Sequence, residues 1–199
     1  MTILNRFRFP ALTVVAAIAA LRLAGCGGDG VSSAADAEAA YKGLDSSIDQ
    51  AIQLGFDGFN SASSANISPQ TGKGTSTGTM TISGKVDQGS SSNKTMSLTE
   101  ALAMYSNDGK LTYDTGDSVL PTIDMKLSKI PTGTVAGTLA GAYTISGDLK
   151  GTVTLNLSFT GDLQANAADA TKVERKPGTT HITGTASSDY GTYDVDITR

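Results

Sequence analysis

Few side chains in this sequence are equipped to make or break bonds. The single thiol, Cys26, could act as a nucleophile or accept a covalent modification. The single imidazole, His181, is the one group able to serve as base in a Ser-His-Asp arrangement. Alternation places it on the threonine side of its segment, beside Thr183 and Thr185, which reads as a solvated strand histidine. The acids Asp108, Asp114 and Asp117, with Asn107, could offer oxygen ligands to calcium across neighbouring loops, although no EF-hand spacing is present. Glu100 lies in TMSLTEALAMYS at the parity of Met96, Leu98, Leu102 and Met104, so a strand there aims a carboxylate at the core. One cysteine permits no disulfide within the chain and no zinc site built from histidine and cysteine. The expectation is therefore no catalytic centre, no metal and no cofactor.

Asp114-Thr115-Gly116 resembles the active-site triplet of aspartic proteases, in which two carboxylates share a proton and activate water. That family follows the triplet with a small residue, whereas Asp117 stands there in this chain, and no second copy is present. The same three residues are ordinary turn chemistry: an aspartate that bonds its own backbone and a glycine free to take positive φ. The turn is the expectation.

Cys26 has a more specific context. Arg6 and Arg8 precede an apolar run of about eleven residues, Ala11 to Leu21, and Leu23-Ala24-Gly25 lead into the cysteine. A basic start, a short apolar stretch and small residues before a cut make a secretory signal peptide. The run is too short to span a bilayer, which takes roughly twenty apolar residues. Leu23-Ala24-Gly25-Cys26 resembles the lipobox of bacterial lipoproteins. The resemblance implies a thioether-linked diacylglycerol on Cys26, cleavage before it, and acylation of the new amino terminus by a chain such as palmitate. Two or three acyl chains meet the requirement for stable anchoring, since one chain binds only marginally. It implies residues 1–25 as signal peptide, residues 26–32 as acylated cysteine and tether, and residues 33–199 as one domain. Gly27, rather than an aspartate, follows the cysteine; in enteric bacteria that pattern implies the outer membrane. The plain alternative is a leaderless chain with a buried free cysteine.

Loss of Arg6, Arg8 and Arg22 leaves 12 basic against 19 acidic residues, a formal charge of −7. Such a surface argues against nucleic acid and against adhesion to anionic lipid by charge alone. Membrane attachment through Cys26, an apolar ligand or an envelope protein remain as partners.

The elements that would carry these groups follow from periodicity. Tyr41, Leu44, Ile48, Ala51, Ile52, Gly55 and Phe59 recur at three- and four-residue intervals, which predicts a helix. Ser33 can cap it, Asp36 and Glu38 suit its first turn, and Gly55 and Gly58 offer stops. SASSANISPQTGKG reads as a loop, and from Thr75 the period becomes two, with Met80, Ile82 and Val86 facing one way. Val119, Ile123, Met125 and Leu127 alternate likewise. From Tyr143 to Phe159 the apolar residues hold odd positions throughout, which fits one long strand bent at Gly147 and Gly151 or a hairpin with an odd loop; the bent strand is slightly favoured. A parity swap between Ile182 and Tyr193 predicts a hairpin turn of even length within SSDYG. KVERKPG, Lys172 to Gly178, reads as a charged connection.

The resulting fold class is mainly β with one N-terminal helix (α+β): seven to nine antiparallel strands in a curved sheet or partial barrel covered by the helix. A two-sheet sandwich is the alternative. The leading functional expectation is a non-catalytic, membrane-anchored structural or binding domain, and the alternative is a carrier or chaperone holding a lipid between helix and sheet. General plan alone resembles the half-barrel lipid-binding lipoproteins of bacterial envelopes, with no shared residue motif. Volume between helix and sheet is the feature that separates the two.

Overall fold

The computed structural model describes residues 30–87 and 91–199. The signal peptide expected at 1–25, and Cys26 itself, lie outside the described residues.

The helix α1 runs Ala34–Ser61. Ser33 caps it: its hydroxyl accepts from the Asp36 amide at 3.1 Å, while the Asp36 carboxylate accepts from both Ser32 and Ser33. These bonds outweigh the slight burial and hold the Asp36 carboxyl below its ordinary range. Neither Gly55 nor Gly58 stops the helix. Both sit inside it where the sheet comes close. A Cβ on Gly58 would stand 2.9 Å from Ile67 Cβ, and one on Gly55 3.2 Å from Met96 Sδ. These glycines serve close approach rather than termination.

Ten strands follow: β1 Asn66–Lys73, β2 Thr77–Val86, β3 Lys94–Ser106, β4 Leu111–Asp114, β5 Thr122–Ser128, β6 Thr134–Gly147, β7 Gly151–Ala165, β8 Val173–Arg175, β9 His181–Ser188 and β10 Gly191–Thr198. All pairings are antiparallel, in the order β1-β2-β3-β4-β6-β7-β9-β10, with β5 between β3 and β6 and β8 on β7. The sheet curls into a partial ring that does not close, so the sandwich alternative fails. The backbone of α1 lies nearest β1, β2 and β10, in the opening of the ring. Its apolar side chains reach across that opening.

The ten strands exceed the seven to nine expected, and further expectations need correction. The segment expected as a loop forms β1, hidden by its proline, its glycine and its single buried residue, Ile67. Residues 143–160 are two strands: Ile145 pairs Gly151 and Thr144 pairs Thr152 around the three-residue loop 148–150, an odd loop that preserves parity. The charged connection contains β8, paired to β7 at Leu163–Ala165, and its Arg175 is buried. The expected C-terminal hairpin is present, with Ser188 opposite Gly191 and the two residues Asp189 and Tyr190 between.

Helix and sheet share one core. Tyr41, Leu44, Ile48 and Ile52 are fully buried against Met80, Ile82, Leu98, Leu139, Leu155 and Phe159. At about 25 cal/mol per Å² of apolar surface, each such side chain contributes about 1.5–3 kcal/mol, so helix docking is the main fastening of the ring.

Candidate functional site

The strand β3 changes partner along its length. Lys94–Thr99 pair with β5, Tyr105 pairs with Tyr113 of β4, and residues 115–121 cross between the two short strands. The triplet Asp114-Thr115-Gly116 lies at this seam and is not the expected turn: Asp114 ends β4, its carboxylate bonds across the sheet rather than its own backbone, and Gly116 does not take positive φ. Asp114 Oδ1 accepts from the Met104 amide at 2.8 Å, and Thr115 Oγ1 accepts from the Leu102 amide at 3.0 Å. Their side chains replace ladder bonds that β3 would otherwise lack. The backbone amide of Glu100 donates to the Pro121 carbonyl at 3.0 Å. The alternation of β3 holds through Leu102 and breaks at Met104, whose φ of 49° turns it outward to 58% exposure.

Glu100 is fully buried behind this seam, as its parity predicts. Its Oε1 accepts from the Tyr143 hydroxyl on β6, and its Oε2 has no hydrogen-bond partner. Desolvation pushes the carboxyl up to about 7, against which the Tyr143 bond lowers it. Burial, then the Glu100 charge, raise the Tyr143 phenol well above its ordinary value. The Tyr143 ring meets Tyr113 edge-on, with centroids 6.3 Å apart at 90°. Tyr113 in turn donates to the Ala40 carbonyl of α1 at a point where Gly43 leaves room for its hydroxyl. A polar thread thus runs from the sheet seam through three side chains into the helix backbone. Glu100, Tyr143 and Tyr113 are all buried, so the thread lies within the core.

A second cluster ties α1 to β8. Arg175, 6% exposed, makes a fork on each of two aspartates one helical turn apart. Its Nε and Nη2 donate to Asp49 at 2.9 Å each, and its Nη1 and Nη2 donate to Asp45 at 3.0 and 3.2 Å. Nη2 also donates to the Asp45 carbonyl at 2.9 Å. Burial would lower the guanidinium pKa, but the bonds and charges of Asp49 and Asp45 raise it further. Tyr41 donates to Asp45 from the core side, and its phenol is raised by burial and by that charge. A cleft of about 320 Å³ opens beside this cluster, with Thr180 and Arg199 in its wall. A shallow groove of about 380 Å³ on the flank of α1 is walled by Gln50, Gln53, Tyr105, Asn107 and Glu174. Both are lined mostly by polar and charged residues, with Pro177 in the first and Leu54 and Tyr105 in the second. Sequence reading missed this cluster; the legible signal was Asp45 and Asp49 at helical spacing of four, turned to one flank.

The remaining candidates stand apart. His181 is exposed on β9 and bonds Asp196 of β10 at 2.7 Å. Asp108 Oδ1 accepts from the amides of Lys110 and Leu111, and Asn107 accepts from Thr75 and donates to Tyr105 and Ser46. Among the described residues no group of three or more His, Cys, Asp or Glu side chains is arranged to hold a metal ion. Against the expectation that the chain holds no G-x-S-x-G, Gly74-Thr75-Ser76-Thr77-Gly78 spells that pattern. It forms the β1–β2 hairpin turn rather than the strand-to-helix elbow that exposes a nucleophile, and His181 lies at the opposite end of the strands. Among the described residues no helix is long and apolar enough to cross a membrane. No family model, curated protein or solved structure matches the chain.

Proposed function

We propose that this chain is a bacterial cell-envelope lipoprotein, acylated on Cys26 and held on the outer membrane, whose domain is a non-catalytic structural or binding module. The observation that carries the reading is Leu23-Ala24-Gly25-Cys26 behind an Arg-flanked apolar run. The fold suits it: α1 begins at Ala34, eight residues beyond the cysteine, so the anchor and the folded body are immediate neighbours.

Packing favours the structural or binding role over the lipid carrier. Gly55 of α1 sits within van der Waals reach of Met96 and Leu98, and the helix's large apolar side chains are fully buried against the sheet. The space in which a carrier would hold its ligand is occupied by the protein's own side chains. The clefts beside the helix are open and lined by a mixture of charged, polar and apolar residues.

The test is intact mass of the chain purified from its own envelope. The reading expects a chain starting at Cys26 with the added mass of two or three acyl groups, and a Cys26→Ser variant that lacks them and leaves the membrane fraction. An unmodified Cys26 in membrane-derived protein would refute it. Native mass spectrometry on the same sample tests the carrier: a small apolar molecule released on denaturation would restore that alternative.

A further inference from the structure

We propose that one end of the strand ring, formed by the β9–β10 turn and the β6–β7 turn, is a membrane-contact surface on which the domain rests against the lipid bilayer. The inference rests on the lipoprotein reading and adds an orientation to it.

The chain enters the folded body at this end. Gly30 is buried, packed under the Tyr190 ring and against the Lys150 carbonyl, and a Cβ there would collide with the ring. Val31 is 1% exposed, and its carbonyl accepts from the Ser188 hydroxyl at 2.5 Å. The expected tether of residues 26–32 is therefore already part of the fold from Gly30 onward. Four residue steps separate Gly30 from Cys26, and a fully extended chain covers at most about 14 Å in four steps. Acyl chains begin below the headgroup layer, and the interfacial zones bring a bilayer of about 30 Å hydrocarbon to about 40–45 Å in all. A leash of that reach, spent partly in crossing the headgroups, leaves the exit point close to the bilayer surface.

The groups at that exit suit an interface. Tyr190 is 55% exposed, one of three large hydrophobic side chains exposed among the described residues, and its neighbour Tyr193 bonds its carbonyl at 3.0 Å. Leu149 is half-buried in the adjoining turn, beside Lys150. Tyrosine prefers the headgroup level because its ring is apolar and its hydroxyl polar. Asp148 and Asp189 flank these residues, so the surface carries no net positive charge and is suited to a zwitterionic rather than an anionic leaflet. The opposite end, with the β5–β6 turn, then points away from the membrane.

The chain contains no tryptophan, so one introduced indole reports alone. Y190W and, independently of the tether packing, D148W would be purified as acylated full-length product and placed in phosphatidylcholine vesicles with or without brominated acyl chains. T132W on the β5–β6 turn is the far-end control. Expected are blue-shifted emission and loss of intensity on brominated lipid for Y190W and D148W, with T132W unchanged. Acylated protein whose Y190W and D148W emission is no more quenched than that of T132W overturns the contact surface and leaves the lipoprotein reading standing. Absence of acyl mass on Cys26 overturns both.

Discussion

Glu100 makes a prediction about pH that separates its own contribution from that of every other acid. The group ionises at an ordinary 4.5 in an unfolded chain and at about 7 in the folded one. Between those values the folded state holds a proton that the unfolded state has released, so stability falls as pH rises. The contribution is intact below about pH 4.5, declines through the interval, and is spent above pH 7. At 1.36 kcal/mol per pKa unit the total loss is about 3 kcal/mol, an order-of-magnitude figure for a fully buried group. Glu100→Gln keeps the shape and the acceptor for Tyr143 and removes the titration. At pH 4.5 the variant should be less stable than the parent by about 1–3 kcal/mol, since the buried carboxylic acid leaves one donor unpaired and the amide leaves two. By pH 8 that difference should have moved by about 3 kcal/mol in favour of the variant, or roughly 6–12 °C in Tm for a domain of this size. Urea unfolding of both proteins at half-unit steps from pH 4.5 to 8 measures it, and the difference cancels acids common to both. A difference that stays flat across the interval, or that grows in favour of the parent, would refute the reasoning.

Arg175→Met strands Asp45 and Asp49 without their shared cation and should cost about 2–3 kcal/mol, below the value for a deeply buried pair because Asp49 is partly solvated. Arg175→Lys should recover less than half of that in urea unfolding, since an ammonium cannot fork onto two carboxylates. Gly43→Ala should destabilise by about 1–3 kcal/mol despite gaining helix propensity, because its methyl meets the Tyr113 hydroxyl. In a Tyr113→Phe background the same change should become neutral or stabilising. A double-mutant cycle with no coupling between the two sites would show that the contact does not carry the cost.

How much of this was legible depended on how much apolar patterning each element carries. The helix and the strands β2, β5, β7, β9 and β10 announce themselves because burial on one side forces the period. Glu100 was visible for the same reason, as a carboxylate in phase with Met96, Leu98 and Leu102. Its partner Tyr143 was not, because it comes from a strand forty-three residues away. The strand β1 buries one residue well and β8 is three residues long, so neither generates a period to read. The β6–β7 loop is a different failure: an odd loop leaves parity unchanged, so alternation alone cannot distinguish it from a bend. Arg175 reads only as part of a charged connection because its two partners lie 126 and 130 residues earlier in the sequence.

An unclosed ring leaves two raw sheet margins, and each is a template on which another extended chain can pair. The strand β1 blunts its margin with Pro69 and a register shift between Ile67 and Gln70. The strand β10 carries Asp194 and Asp196, whose charges repel a like neighbour. The helix in the opening guards both: Gln50 donates to the Lys73 carbonyl on one side, and α1 packs on β10 on the other. This shielding covers backbone groups on which a neighbouring extended chain could otherwise pair. The helix that fastens the core therefore also guards the two open edges of the ring.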